Sequence, residues 1–84
     1  MKADKKKAIE KITAEYWAAV EKHPGPAFSR EEFCRFLGGA ITPGRLANLD
    51  SEGLGPDGSF YQGRKKMYLK APAVEWALRR VEVK

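Results

Sequence analysis

Proline and glycine divide this chain more sharply than any other feature. His23-Pro24-Gly25-Pro26, Gly38-Gly39, Gly53-Leu54-Gly55-Pro56-Asp57-Gly58 and Gly63 interrupt its 84 residues. Proline cannot continue a helix and restricts the residue before it, while glycine takes the left-handed backbone that ends helices and closes turns. One long helix therefore fits ahead of Pro24, and everything after it must be built from short elements. At this length the chain is a single small domain that buries only about 60–65% of its unfolded surface, so it has one modest core.

Between those breaks, local signals define the elements. Ile9, Ile12, Tyr16 and Val20 fall on one stripe of a 3.6-residue period and predict a helix over 4–22, with Asp4 as its cap. Ser29-Arg30-Glu31-Glu32 is a capping box, and Phe28 and Phe33 occupy the positions of a hydrophobic staple. This second helix is expected to bury Phe33, Phe36 and Leu37 and to stop at Gly38-Gly39. Thr42 at N-cap and Pro43 at N1 start a third helix, with Leu46 and Leu49 inward and Gly53 at its end. Ser59–Gln62 and Met67–Leu69 read as strands of a hairpin whose tip is Gly63-Arg64-Lys65-Lys66. Pro72 opens a last helix to about Arg80, and 81–84 is expected to fray.

The expected fold is mainly α with a small β-hairpin. Two short helices across a tight connection make a helix-turn-helix, and a basic-tipped hairpin directly after them makes it winged. The expected organisation is an N-terminal amphipathic helix with its Pro/Gly linker over 1–27, then a winged helix-turn-helix over 28–84.

Charge is unevenly spread along the chain. The net charge is +5, yet residues 59–84 alone carry seven Lys/Arg against two Asp/Glu, whereas residues 29–58 carry three against five. Such asymmetry points to an oriented surface for an anionic partner. No apolar run approaches the roughly 18–20 residues that cross a bilayer, and the N-terminus lacks the apolar core of a signal peptide. A single cysteine, Cys34, precludes an intrachain disulfide and fits a reducing compartment. With one histidine, His23, it forms no zinc-ligand pattern. Cys34 is expected to be buried, and His23 to be an exposed helix terminator. No nucleophile-elbow, phosphate-loop or metal-ligand signature is present. The expectation is a cytoplasmic, nucleoid-associated protein that is not an enzyme and carries no cofactor or metal.

From Phe28 to Arg80 the sequence resembles the excisionase-like, MerR-like winged-helix family of phage and prophage DNA-binding proteins. The resemblance rests on Ile41-Thr42-Pro43-Gly44-Arg45-Leu46-Ala47-Asn48-Leu49, Gly53-Leu54-Gly55-Pro56, Phe60-Tyr61, Gly63-Arg64-Lys65, Tyr68 and Trp76. It implies double-stranded DNA binding, as a transcription regulator or as an excisionase that directs site-specific recombination with an integrase. The chain departs from the family by its N-terminal helix and by Asp50 and Glu52, where a basic residue is common. Acidic side chains at those positions repel phosphate if they face it.

A recognition helix presents its N-terminal residues to base edges in the major groove. Here Gly44, Arg45 and Asn48 hold those places. Arg suits guanine and Asn suits adenine, while Thr42 and the first-turn N–H groups suit a phosphate. At the hairpin tip, Gly63 permits a tight turn and Arg64, Lys65 and Lys66 suit the DNA backbone or minor groove. Lys70 is a further phosphate candidate. The competing readings are ordinary solvated helix residues at 45 and 48, and solubilising charge at the tip.

On the first helix, Ile9, Ile12, Tyr16, Trp17 and Val20 form the candidate partner interface, for a homodimer, a cooperative assembly on DNA or another protein. Trp17 widens the apolar stripe, which suits either a protein interface or packing on the domain itself. The alternative function is a protein-interaction module that kept the fold without DNA binding, motivated by Asp50, Glu52, the net −2 of residues 29–58 and Trp17.

Overall fold

The computed structural model describes the backbone of residues 2–83 and the side chains of 4–83. Met1 and Lys84 lie outside the described residues, and with Lys84 the end of the segment expected to fray. The domain is mixed α/β: helices α1 (Lys2–Lys22), α2 (Arg30–Phe36), α3 (Pro43–Ser51) and α4 (Lys70–Arg79), with strands β1 (Ala27–Ser29), β2 (Ser59–Gln62) and β3 (Lys65–Leu69).

The sheet has three strands rather than the two of the expected hairpin. All pairs are antiparallel, in the order β1-β3-β2. Ala27 pairs with Leu69, Phe28 with Tyr68 and Ser29 with Met67. β1 escapes sequence reading because three residues are too few for a period-2 pattern, and Phe28 and Ser29 already carry a local helix-start signal. The expected boundary between residues 27 and 28 therefore falls inside a paired strand. Moreover, Val20 of α1 lies in the same core as Phe28, Phe33 and Tyr68, so α1 and the rest pack as one body.

Helix starts follow the capping chemistry where a cap is present. The Ser29 hydroxyl accepts from the Glu32 N–H at 3.2 Å, and the Glu32 carboxylate accepts from the Ser29 N–H at 2.9 Å. Thr42 Oγ1 accepts from the Arg45 N–H at 3.1 Å. Two starts move. α1 begins at Lys2, which places Asp4 within its first turn, favourable to the helix dipole, rather than at its cap. α4 begins at Lys70, directly out of β3, with Pro72 still among the first residues, whose N–H groups have no partner within the helix. The strand-to-helix junction is held by Leu69 N–H to the Gly58 carbonyl (3.3 Å) and Lys70 N–H to the Pro26 carbonyl (3.2 Å).

The hairpin turn is shorter than expected. Gln62 pairs with Lys65, so the turn is Gly63-Arg64 alone, and Lys65 and Lys66 belong to β3. Gly63 has φ +65° and Arg64 does not take positive φ, which is the pattern of a two-residue type II′ turn.

Aromatic rings fill the core. Phe28, Phe33 and Tyr68 are fully buried alongside Leu46, Ala73 and Val74. Phe28 lies 5.4 Å from Phe33 and 5.0 Å from Phe36; Phe33 lies 5.8 Å from Tyr68 and 6.1 Å from Trp76. Each such ring removes roughly 150–250 Å² from water, the main source of cohesion in a chain with no disulfide. His23 departs from expectation: its ring is partly buried and packs at a tilt against Phe28, 4.4 Å between centres.

Candidate nucleic-acid interface

α2 and α3 are joined across residues 37–42, where Gly38 and Gly39 both take positive φ, +68° and +79°. Two consecutive left-handed residues turn the chain within a few positions, which places α3 against α2. α3 then divides cleanly. Leu46 and Leu49 are buried, whereas Gly44, Arg45 and Asn48 are exposed. Arg45 and Asn48 are three apart, so they stand one above the other on the outer face. Thr42 is exposed, and its oxygen is occupied by the Arg45 N–H.

At the other end of α3, Asp50 is turned inward. Its carboxylate accepts from Arg30 Nη2 at 3.2 Å and from the Tyr68 hydroxyl, and Arg30 Nε donates to the same hydroxyl at 3.1 Å. The Asp50 side chain is only 12% exposed. Burial, with the hydrogen bond to Asp50 next, pushes the Tyr68 hydroxyl up to about 12. Tyr68 therefore remains a neutral donor throughout the physiological range. Gly55 completes the arrangement: a Cβ there would fall on the Asp50 carboxylate. Of the two acids at this end of α3, Asp50 in its last turn and Glu52 at its C-cap, only Glu52 is exposed.

The hairpin carries its cations in two ways. Arg64 in the turn and Lys65 at the start of β3 are exposed. Lys66 is half-buried, with its ammonium 4.9 Å from the centre of the Tyr61 ring. One cleft is lined by Ser29, Arg30 and Glu31 from the β1–α2 junction together with Arg64, Lys65 and Lys66. The fold thus brings the hairpin cations beside the start of α2. Lys70 has an internal role: its ammonium donates to the His23 carbonyl at 2.7 Å, against the end of α1. One of its three N–H groups is thereby tied to the domain itself.

The candidate partner face on α1 changes character along its length. Val20 is buried in the domain's own core, which corrects its assignment to a partner interface. Tyr16 meets Phe36 edge to face at 5.9 Å, and Trp17 packs partly buried against the core. Ile12 is half-buried and Ile9 is exposed, so the stripe overruns the body of the domain toward its N-terminal end.

Cys34 is buried, and burial pushes its thiol up, which disfavours the thiolate. Among the described residues, no cluster of His, Cys, Asp and Glu has the makings of a metal site, and no helix is long and apolar enough to cross a membrane. Arg30 is the residue that sequence reasoning missed. It sits inside a capping box, and nothing in the local sequence connects it with Tyr68, 38 positions away. Comparison of the chain with known protein families, curated proteins and solved structures finds no match.

Proposed function

We propose that this chain binds double-stranded DNA as a winged helix-turn-helix protein of the excisionase-like, MerR-like kind. In this reading α3 enters the major groove and the β2–β3 hairpin tracks the backbone. The observation that carries it is the outer face of α3. Arg45 and Asn48 stand exposed beside a capped helix start, opposite Leu46 and Leu49, on a helix whose Asp50 is tied inward. Arginine pairs with guanine O6 and N7, and asparagine with adenine N6 and N7. Arg64 and Lys65, exposed on the hairpin, supply the sequence-independent attraction.

The role is that of a transcription regulator or of an excisionase-type factor that marks DNA for an integrase. The protein works without catalysis or cofactor, in the cytoplasm on the nucleoid. A domain this small touches little DNA, so it assembles as a homodimer or cooperatively along the duplex. The alternative, an interaction module without DNA binding, drew on Asp50, Glu52 and Trp17. Asp50 is engaged with Arg30 and Tyr68, and Trp17 packs on its own core, which leaves Glu52 and the net −2 of residues 29–58 as its support.

The test is fluorescence anisotropy with a labelled mixed-sequence duplex between about 50 and 200 mM salt. Contact with roughly four to six phosphates gives a log–log slope near −4 to −5. Absence of binding at the lowest salt overturns the reading.

A further inference from the structure

A groove of about 340 Å³ lies between Tyr16 of α1, the end of α4, the start of α3 and the α2–α3 connection. Its floor is Trp76 and Ala77, both buried, and its walls include Leu37 and Ile41, both half-buried. Arg45 and Arg80 stand exposed at its mouth, and no Asp or Glu lines it. Trp76 is fixed from behind, its indole N–H donating to the Leu54 carbonyl at 2.9 Å. Arg80 is fixed in turn, with its guanidinium 4.8 Å from the centre of the Trp76 ring. Stacking of this kind holds the planar fork in place, so its N–H groups are presented with less entropy left to lose.

We propose that this groove is a docking site for an acidic segment of a partner protein. One apolar side chain enters between Tyr16, Leu37 and Ile41, all half-buried, and neighbouring carboxylates meet Arg45 and Arg80. Charge complementarity decides the occupant. An apolar floor under two arginines, with no acid in the lining, matches an apolar anchor flanked by carboxylates, and arginine binds carboxylate through paired hydrogen bonds. A DNA backbone satisfies the arginines but leaves the apolar floor uncovered. A small ligand is typically buried over 70–90% of its surface, whereas the exposed rim of Ala40, Arg45 and Arg80 leaves this groove open on one side. A protein segment closes that side by resting on the rim, with a central anchor and a polar periphery.

Arg45 is shared between this groove and the outer face of α3, so an occupant and a duplex compete for it. That competition alone rests on the DNA-binding reading; the docking does not.

The test is an NMR titration of the full, isotopically labelled chain, without DNA, with three 12-residue peptides. The first carries a central leucine–tryptophan pair flanked by aspartates, the second replaces the aspartates with lysines, and the third keeps the aspartates around glycine and serine. The proposal expects the first peptide alone to shift the Trp76 indole signal and the Ile41, Ala77 and Arg80 amides saturably. Arg80→Gln, at an exposed position, keeps the folded spectrum and weakens that binding roughly tenfold, as loss of a charged hydrogen-bond pair implies. No saturable shift up to millimolar peptide, equal shifts with the lysine peptide, or shifts confined to other surfaces overturns the proposal. Duplex binding is read separately by anisotropy, so failure of the DNA reading leaves the peptide result standing.

Discussion

The two ends of α3 are built from similar polar residues and put to opposite uses. At its start, Arg45 and Asn48 project outward from a helix capped by Thr42. At its end, Asp50 faces inward, where Arg30 and the Tyr68 hydroxyl meet its carboxylate. The first turns expose Gly44 and Arg45 to solvent, while the last turn anchors the helix to α2 and β3. In the proposed reading α3 is a recognition element, which has to be both exposed and held still. Arg45 and Asp50 sit about one and a half turns apart on the same nine-residue helix.

Removing hairpin charge tests the outward-facing half most strongly. Alanine at Arg64, Lys65 and Lys66 together lowers duplex affinity on the order of 100-fold near 100 mM salt. The salt slope becomes shallower by roughly two to three, measured by anisotropy. Unchanged affinity would remove the hairpin from the interface.

The inward-facing half breaks differently. Asp50→Ala leaves Arg30 and Tyr68 without their acceptor and costs about 2 kcal/mol, a fall in Tm of roughly 10 °C for a domain of this size. At low temperature, where the variant stays folded, its duplex affinity changes by less than about twofold. Glu52→Gln, at an exposed position, shows the reverse: little change in Tm and a modest rise in affinity. If Asp50→Ala raised affinity several-fold, Asp50 would be facing phosphate and the contrast between the two ends would fail.

pH sharpens the same contrast. The Tyr68 hydroxyl is raised from its ordinary value of 10 to about 12, chiefly by burial. Between those values the unfolded chain binds fewer protons than the folded one, so stability falls as pH rises. The contribution is complete below pH 10 and is lost as pH passes 12. Denaturant unfolding of the wild type shows that decline, and Tyr68→Phe lacks the part due to this group. A smaller effect belongs to the helix start. Thr42→Ala removes the acceptor for the Arg45 N–H and costs about 1 kcal/mol by the same measurement.

What the sequence makes legible is local. Ser29 with Glu32, Thr42 with Pro43, and Gly53 after α3 are signals contained within a few residues, and each marks an element that forms there. The three-residue β1 is defined by pairing with β3, forty residues on, and no pattern of its own announces it. The same holds for the candidate site. The outward faces of Arg45 and Asn48 follow from helical period, because Leu46 and Leu49 fix the inner face. The roles of Asp50, Lys70 and Val20 follow from neighbours distant in sequence: Arg30 and Tyr68, the His23 carbonyl, and the aromatic core. Side-chain chemistry is readable at all these positions, but the direction Asp50, Lys70 and Val20 take depends on tertiary packing.

The most direct test is an NMR titration of the full chain with a mixed-sequence duplex at about 50 mM salt, following every backbone amide. The largest shifts are predicted at Gly44, Arg45 and Asn48 and at Gly63, Arg64 and Lys65, with Asp50 and the Tyr68 strand interior little moved. Shifts confined to α1, or none at that salt, would contradict DNA recognition by α3 and the hairpin.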